Sequence, residues 1–328
     1  MIRKTKAKTH EFLASLNKAR IERPLLFWLR VTVIAGVCLF FLLKRNFWTP
    51  DTLFAMFLVV FLVLGQARVF LVRFAPFILL LLAYDSFRGI ADDLNHYVNF
   101  WPMINFDKSL FGGVLPTETL QHWLWNGHVQ WYDFYFYFLY TIHFLAPVAL
   151  AVAIWKLHPR LYWQFVAALV GLSFAAFVTY IVFPAAPPWM AADMHYIEPI
   201  HRISSDIWYA MGVTNFSEFY ANISPNAVAA VPSLHSAYPM LFTLFMWRMF
   251  SFKRTWWIIL YPLSMWVGVV YLGEHYVFDV VFGIAYAVIA YFMAAWVFKA
   301  LRRYHPVFKA DYQRGYAYAH SAITRSGR

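Results

Sequence analysis

Val231-Pro232-Ser233-Leu234-His235-Ser236-Ala237-Tyr238-Pro239 and, after an apolar block, Gly273-Glu274-His275-Tyr276-Val277-Phe278-Asp279 bound the stretch that decides how this chain folds. His235 and His275 each stand at the edge of an apolar run able to cross a bilayer, for which about 20 residues suffice. If both begin membrane helices, the four-residue spacing puts Asp279 on the same helix face as His275. The carboxylate can then hold and charge-balance that imidazole. His235 is left free to reach the same point from a neighbouring helix. Two imidazoles and a carboxylate at a membrane surface suit phosphoryl transfer, in which one histidine attacks phosphorus and the other protonates the departing oxygen.

The composition agrees with a membrane setting. The chain has 328 residues, 62% hydrophobic and only 13% charged, against about 25% charged in an ordinary soluble domain. The net charge of +11 does not imply nucleic acid, because the basic residues sit in short segments between apolar blocks. That distribution follows the positive-inside rule. The single cysteine, Cys38, lies in an apolar run and allows no intrachain disulfide.

Working outward, the expected fold is all-α: a polytopic membrane protein with about eight transmembrane helices and a six-helix catalytic core. The spans are expected at about Leu25–Leu43, Thr52–Gly65, Phe74–Phe87, Trp131–Trp155, Leu161–Phe183, His235–Phe250, Thr255–Leu272 and Tyr276–Leu301. Residues 88–130 are too polar to cross and too aromatic for free coil, so interfacial helices are expected there. A long segment, Pro184 to Val231, shows little helical periodicity. The chain divides into a basic segment with two additional spans (1–73), a six-span core (74–301) and a cytoplasmic basic tail (302–328).

Charge decides the orientation. With the N-terminus inside, the inside segments hold 21 of the 27 Lys and Arg residues and the outside segments five. Both termini are therefore expected in the cytoplasm, with His235 and His275 on the extracytoplasmic face. That face belongs to the plasma or inner membrane in a bacterium and to the Golgi lumen in a eukaryote.

The candidate residues carry their own physical reasons. An aspartate inside a span costs about 2.5–3.5 kcal/mol on insertion scales, which favours a function for Asp279. Ser233 can cap the helix that His235 begins and turn its first backbone N–H groups outward, where helix N-termini favour phosphate oxygens. His143, within the fourth span, reads as a packed, hydrogen-bonded residue, with a cavity-lining role as the alternative, and the Phe/Tyr run 134–140 as helix packing and aromatic belt. No cofactor is called for, and the site reads as metal-independent because its carboxylate and both histidines are already employed.

Pro-Ser-x-His at the head of one span and His-x-x-x-Asp at the head of the span after next resemble the type-2 phosphatidic acid phosphatase superfamily. Phe183-Pro184-Ala185-Ala186-Pro187-Pro188-Trp189, Val231–Ala237 and His275-Tyr276-x-x-Asp279 are similar to its inositol phosphorylceramide synthase branch. The resemblance implies a phosphohistidine mechanism: His275 as nucleophile, Asp279 orienting it, and His235 donating a proton to the leaving alkoxide. Two departures stand out. The superfamily's Ser-Arg pair before the nucleophile would fall on Gly268 and Val269. The Lys-(six residues)-Arg-Pro word is also missing, since Arg23-Pro24 has Leu16 where the lysine should stand. The charge on phosphorus still needs cations. Arg88, Lys108 and Arg202 are the outside candidates, with Arg88 favoured because it ends a span as the histidines do.

The expected function is a membrane lipid phosphotransferase, moving a phosphoinositol-type headgroup from a phospholipid donor to a lipid alcohol acceptor. The alternative is a lipid phosphate or polyprenyl diphosphate phosphatase that uses the same side chains and water. A transporter using Asp279 and the histidines as a proton relay is the reading from another class.

Overall fold

The computed structural model describes residues 14, 21–43, 50–88, 94–143, 145–212 and 226–304. Most of the basic lead-in, the tail beyond 304 and the Arg88 side chain lie outside the described residues. The rest is all-helical, with two isolated β-bridges, Asn99 with Ala185 and Ala185 with Ala229.

Among the helices whose bounds are described, α1 (Pro24–Leu43), α2 (Pro50–Val63) and α3 (Ala67–Arg88) come first. The stretch expected to be interfacial folds into two short helices, α4 (Trp101–Leu110) and α5 (Pro116–Leu124). The expected span Trp131–Trp155 divides into α6 (Trp131–Ile142) and α7 (Leu145–Leu157), whose axes differ by 55°. The physical reason is Pro147: it offers no N–H to the His143 carbonyl, and its ring crowds that carbonyl. α8 (Pro159–Val182) follows, starting with a proline where the missing N–H is harmless and stopping just before Pro184.

Among the described residues, the aperiodic segment holds α9 (Pro188–Asp193) and α10 (Ile203–Ala210). α11 (Leu234–Phe250) then runs to a short turn of helix at Phe252–Thr255 and a 3₁₀ turn at Trp256–Ile259, before α12 (Leu260–Tyr271) and α13 (Val277–Tyr304). Among the described residues α8 and α13 are long and apolar enough to cross a membrane, and the bent α6–α7 pair adds a third crossing if it acts as one span.

Among the described residues the core is built mainly from three apolar clusters, with a small fourth around Met56 and Val148. The largest joins α3, α7, α8, α11 and α13 through Phe74, Phe77, Phe165, Leu241, Phe245 and Ala287. A second joins α6, α10 and α12 through Tyr137, Ile207 and Val269. A third gathers α4, α9 and the segments beside the bridges around Tyr276. One close approach fixes where the key helices meet. At Gly283 on α13, a β-carbon would overlap the Ser233 carbonyl oxygen, so only glycine lets the start of α11 lie against α13. The Ser233 N–H donates to the Asp279 carbonyl at 3.1 Å across that contact.

Candidate active site

Each histidine is placed by the start of a helix. At α11, the Ser233 hydroxyl caps the first turn, accepting from the Ser236 N–H at 3.3 Å. His235 follows two residues after the cap. At α13 the first N–H groups are taken by carboxylates. Tyr276 N–H donates to Asp279 Oδ2 at 2.9 Å, and Val277 and Phe278 N–H donate to the two oxygens of Asp107, both at 2.9 Å. Asp107 comes from α4, so a distant interfacial helix caps the one that carries Asp279. Burial, reinforced by the nearby Asp279 charge, outweighs those two bonds and pushes the Asp107 carboxyl up to about 6.

The three expected side chains converge. His275 Nδ1 lies 3.2 Å from Asp279 Oδ2, and its Nε2 lies 3.3 Å from His235 Nδ1. Asp279 is fully buried and His275 nearly so. A carboxylate accepting the Nδ1 proton leaves a lone pair on His275 Nε2, aimed at His235. His235 is held by aromatic faces: Tyr140 stacks on it at 4.0 Å between centroids and 12° between planes, and His143 abuts it at 3.9 Å.

The cavity over these residues draws its walls from all three main clusters. It is lined by Tyr84, Tyr140, His143, Tyr180, Asn226, Leu234, Glu274 and the two histidines, among others. His143 is thus both packed, with Nδ1 2.7 Å from the Tyr140 carbonyl, and a cavity residue. The proline-rich word supports the opposite wall. Ala185 bridges Asn99 and Ala229, Pro187 lines the cavity, and the Trp189 N–H donates to the Gly273 carbonyl at 3.2 Å.

The basic candidates fare differently. Arg202 bonds Glu274, with Nε 3.0 Å from Oε1, and its guanidinium lies 3.9 Å over the Trp189 ring. Lys108 sits in the last turn of α4, away from the cavity wall, and among the described residues no lysine or arginine lines that wall. Arg88 ends α3, but its side chain lies outside the described residues. Ser233 is fully buried, its hydroxyl engaged by Ser236. The positions where the superfamily's Ser-Arg pair would fall are closed: Gly268 packs on the Phe136 ring and Val269 is core. Among the described residues no group of three or more His, Cys, Asp or Glu could hold a metal ion.

Sequence reasoning passed over Glu274, Asn226 and Asp107. Glu274 was visible as the neighbour of His275; Asn226 and Asp107 carry no local signal, because what they face comes from elsewhere in the chain.

Comparisons with known proteins identify what the chain is similar to. The profile of the PAP2 superfamily matches residues 102–293, a stretch that contains His235, His275 and Asp279. The chain is 27% identical to the phosphoinositol dihydroceramide synthase of Bacteroides thetaiotaomicron over 278 residues, which cover 79% of this chain and 88% of that protein. No solved structure matches the chain.

Proposed function

For a chain that belongs to the PAP2 superfamily, in its inositol phosphorylceramide synthase-like branch, and is an integral membrane enzyme of phosphotransferase or phosphatase type, we propose transfer of a phosphoinositol-type headgroup between lipids. The donor is a phospholipid such as phosphatidylinositol. The acceptor is a lipid alcohol of the dihydroceramide kind, as in the name of the bacterial relative. One observation carries the reading: the unbroken chain of contacts Asp279–His275–His235, whose two histidines line one cavity.

The chemistry balances as two displacements. His275 Nε2 attacks phosphorus, the bond from phosphorus to the diacylglycerol oxygen breaks, and His235 gives that oxygen a proton. Asp279 keeps the Nδ1 proton in place and offsets the positive charge on the ring. The acceptor hydroxyl then loses its proton to His235, its oxygen bonds phosphorus, and the nitrogen–phosphorus bond breaks to restore His275. Reacting atoms need about 3–3.5 Å between nucleophile and phosphorus, and the leaving oxygen needs about 2.6–3.2 Å to its acid. The two nitrogens are only 3.3 Å apart, so the bound phosphoryl group parts the rings.

The 74–301 region serves as the catalytic core, with 1–73 and 302–328 as appendages. The 21-to-5 distribution of basic residues supports cytoplasmic termini and an extracytoplasmic site. Purified protein incubated with labelled phosphatidylinositol should form a labelled inositol phospholipid only when a ceramide-type alcohol is present. Release of inorganic phosphate from lipid phosphates, with no transfer, would overturn this reading in favour of hydrolysis.

A further inference from the structure

We infer that Glu274 and Asn226 select the donor's headgroup, accepting from and donating to its hydroxyls, and that Glu274 also biases the site toward phosphodiesters over phosphomonoesters. This rests on the phosphotransfer reading above.

Glu274 precedes His275, is 3% exposed and lines the cavity with both histidines. It does not orient the nucleophile, because Asp279 does that. A buried carboxylate beside an attacking imidazole repels an anionic substrate, so its position needs a compensating purpose. Arg202 Nε and Nη2 bond its two oxygens at 3.0 and 3.4 Å, and the Ser204 hydroxyl donates to Oε1. An ionised carboxylate can accept about four hydrogen bonds, so one position stays open.

Asn226 supplies the complement. It is 3% exposed on the same cavity, and its Oδ1 accepts the Val228 N–H at 3.0 Å. Its Nδ2 has no hydrogen-bond partner among the described residues. A buried amide donor left unsatisfied is costly, and a ligand oxygen removes the cost. An acceptor and a donor lining one cavity suit hydroxyls, which need both.

The order of bond breaking says which part of the substrate belongs there. Diacylglycerol departs opposite the attacking nitrogen, towards His235. The headgroup stays on phosphorus through both displacements and needs a site beside His275, where Glu274 is the adjacent residue. Charge adds the second selection. A phosphomonoester brings about −1.5 to −2 charges near neutral pH, and a diester brings one. Glu274 neutralises Arg202 behind the wall, and among the described residues no arginine or lysine lines the cavity to balance the second charge.

The test uses purified full-length protein with phosphatidylinositol plus a ceramide-type alcohol, and separately with phosphatidic acid. Glu274→Gln should raise KM for phosphatidylinositol by about 10- to 100-fold, the range for a lost charged hydrogen bond, while phosphatidic acid hydrolysis rises. Asn226→Ala should raise KM for phosphatidylinositol and leave phosphatidic acid unchanged, and it decides the matter should Glu274→Gln fail to fold. A KM unchanged within about twofold, or an equal loss on both lipids, would overturn the inference and mark the pair as a structural clamp. If wild-type protein turns over neither lipid, the transfer reading falls and binding judges the subsite. Short-chain phosphatidylinositol should then raise the thermal midpoint more than short-chain phosphatidic acid does, and both variants should lose that difference; equal stabilisation in wild type would overturn the subsite.

Discussion

The starts of α11 and α13 each present a histidine to the same cavity, yet they are built in opposite ways. At α13 two carboxylates, Asp107 and Asp279, take the first N–H groups, and Asp279 holds His275 by a directed polar contact in near-complete burial. At α11 a serine hydroxyl caps the helix, and His235 is steadied by stacking on Tyr140 and by a tilted ring contact with His143. Hydrogen bonds to a buried carboxylate fix both position and tautomer. A stacked face fixes a plane and leaves the ring free to turn within it. The difference suits a nucleophile that must point one way and an acid–base that must serve a leaving oxygen and then an arriving one.

The sharpest way to break this comparison is to remove the groups that define each side. Asp279→Ala and His235→Ala should fold normally yet lose about 10²–10⁴-fold in transfer rate; near-native turnover in either, with the thermal midpoint intact, would sink the assignment. A smaller effect tests the junction between the helices. Gly283→Ala places a methyl against the Ser233 carbonyl and should cost about 1–3 kcal/mol of stability as overpacking, seen as a lowered thermal midpoint with a parallel loss of activity. Tyr140→Ala removes a stacking contact worth about 0.5–1.5 kcal/mol, so kcat should fall by a few-fold to about tenfold. Tyr140→Phe keeps the ring and should keep the rate; equal losses would show that the hydroxyl matters more than the face.

The mildest test concerns pH. Burial raises the Asp107 carboxyl from 3.8 to about 6. Between those values the folded protein keeps a proton that the unfolded chain has released. The stability this confers is full below about 3.8 and is lost as pH rises through about 6. The thermal midpoint of wild type should therefore decline more steeply than that of Asp107→Asn between about pH 4 and pH 7. Parallel profiles would mean that Asp107 does not couple protonation to the seating of α13.

Much of the fold and of the reacting centre could be read from residue order. Apolar blocks reveal membrane helices because hydrocarbon forbids bare backbone, and the four-residue spacing brings His275 and Asp279 together within one helix. The break inside the expected span 131–155 needed weight on Pro147, where a run of apolar residues suggested continuity. Residues whose partners lie far along the chain stayed hidden: Asp107 meets Val277 and Phe278 some 170 positions on, and Arg202 meets Glu274 some 70 on. Tyr140 and His143 were seen as packing, which they are, but only the folded arrangement puts His235 between them. The missing Ser-Arg pair was legible from order alone; its reason was not, because the Phe136 ring that fills the space at Gly268 belongs to another helix.

The contact at Gly283 also sets a tempo. Because Ser233 is bonded to the Asp279 carbonyl and its own carbonyl rests where a side chain would otherwise stand, α11 and α13 move as one body at this point. Admitting a phosphoryl group between the imidazoles therefore falls to rotation about side-chain bonds, and not to helix displacement over microseconds to milliseconds.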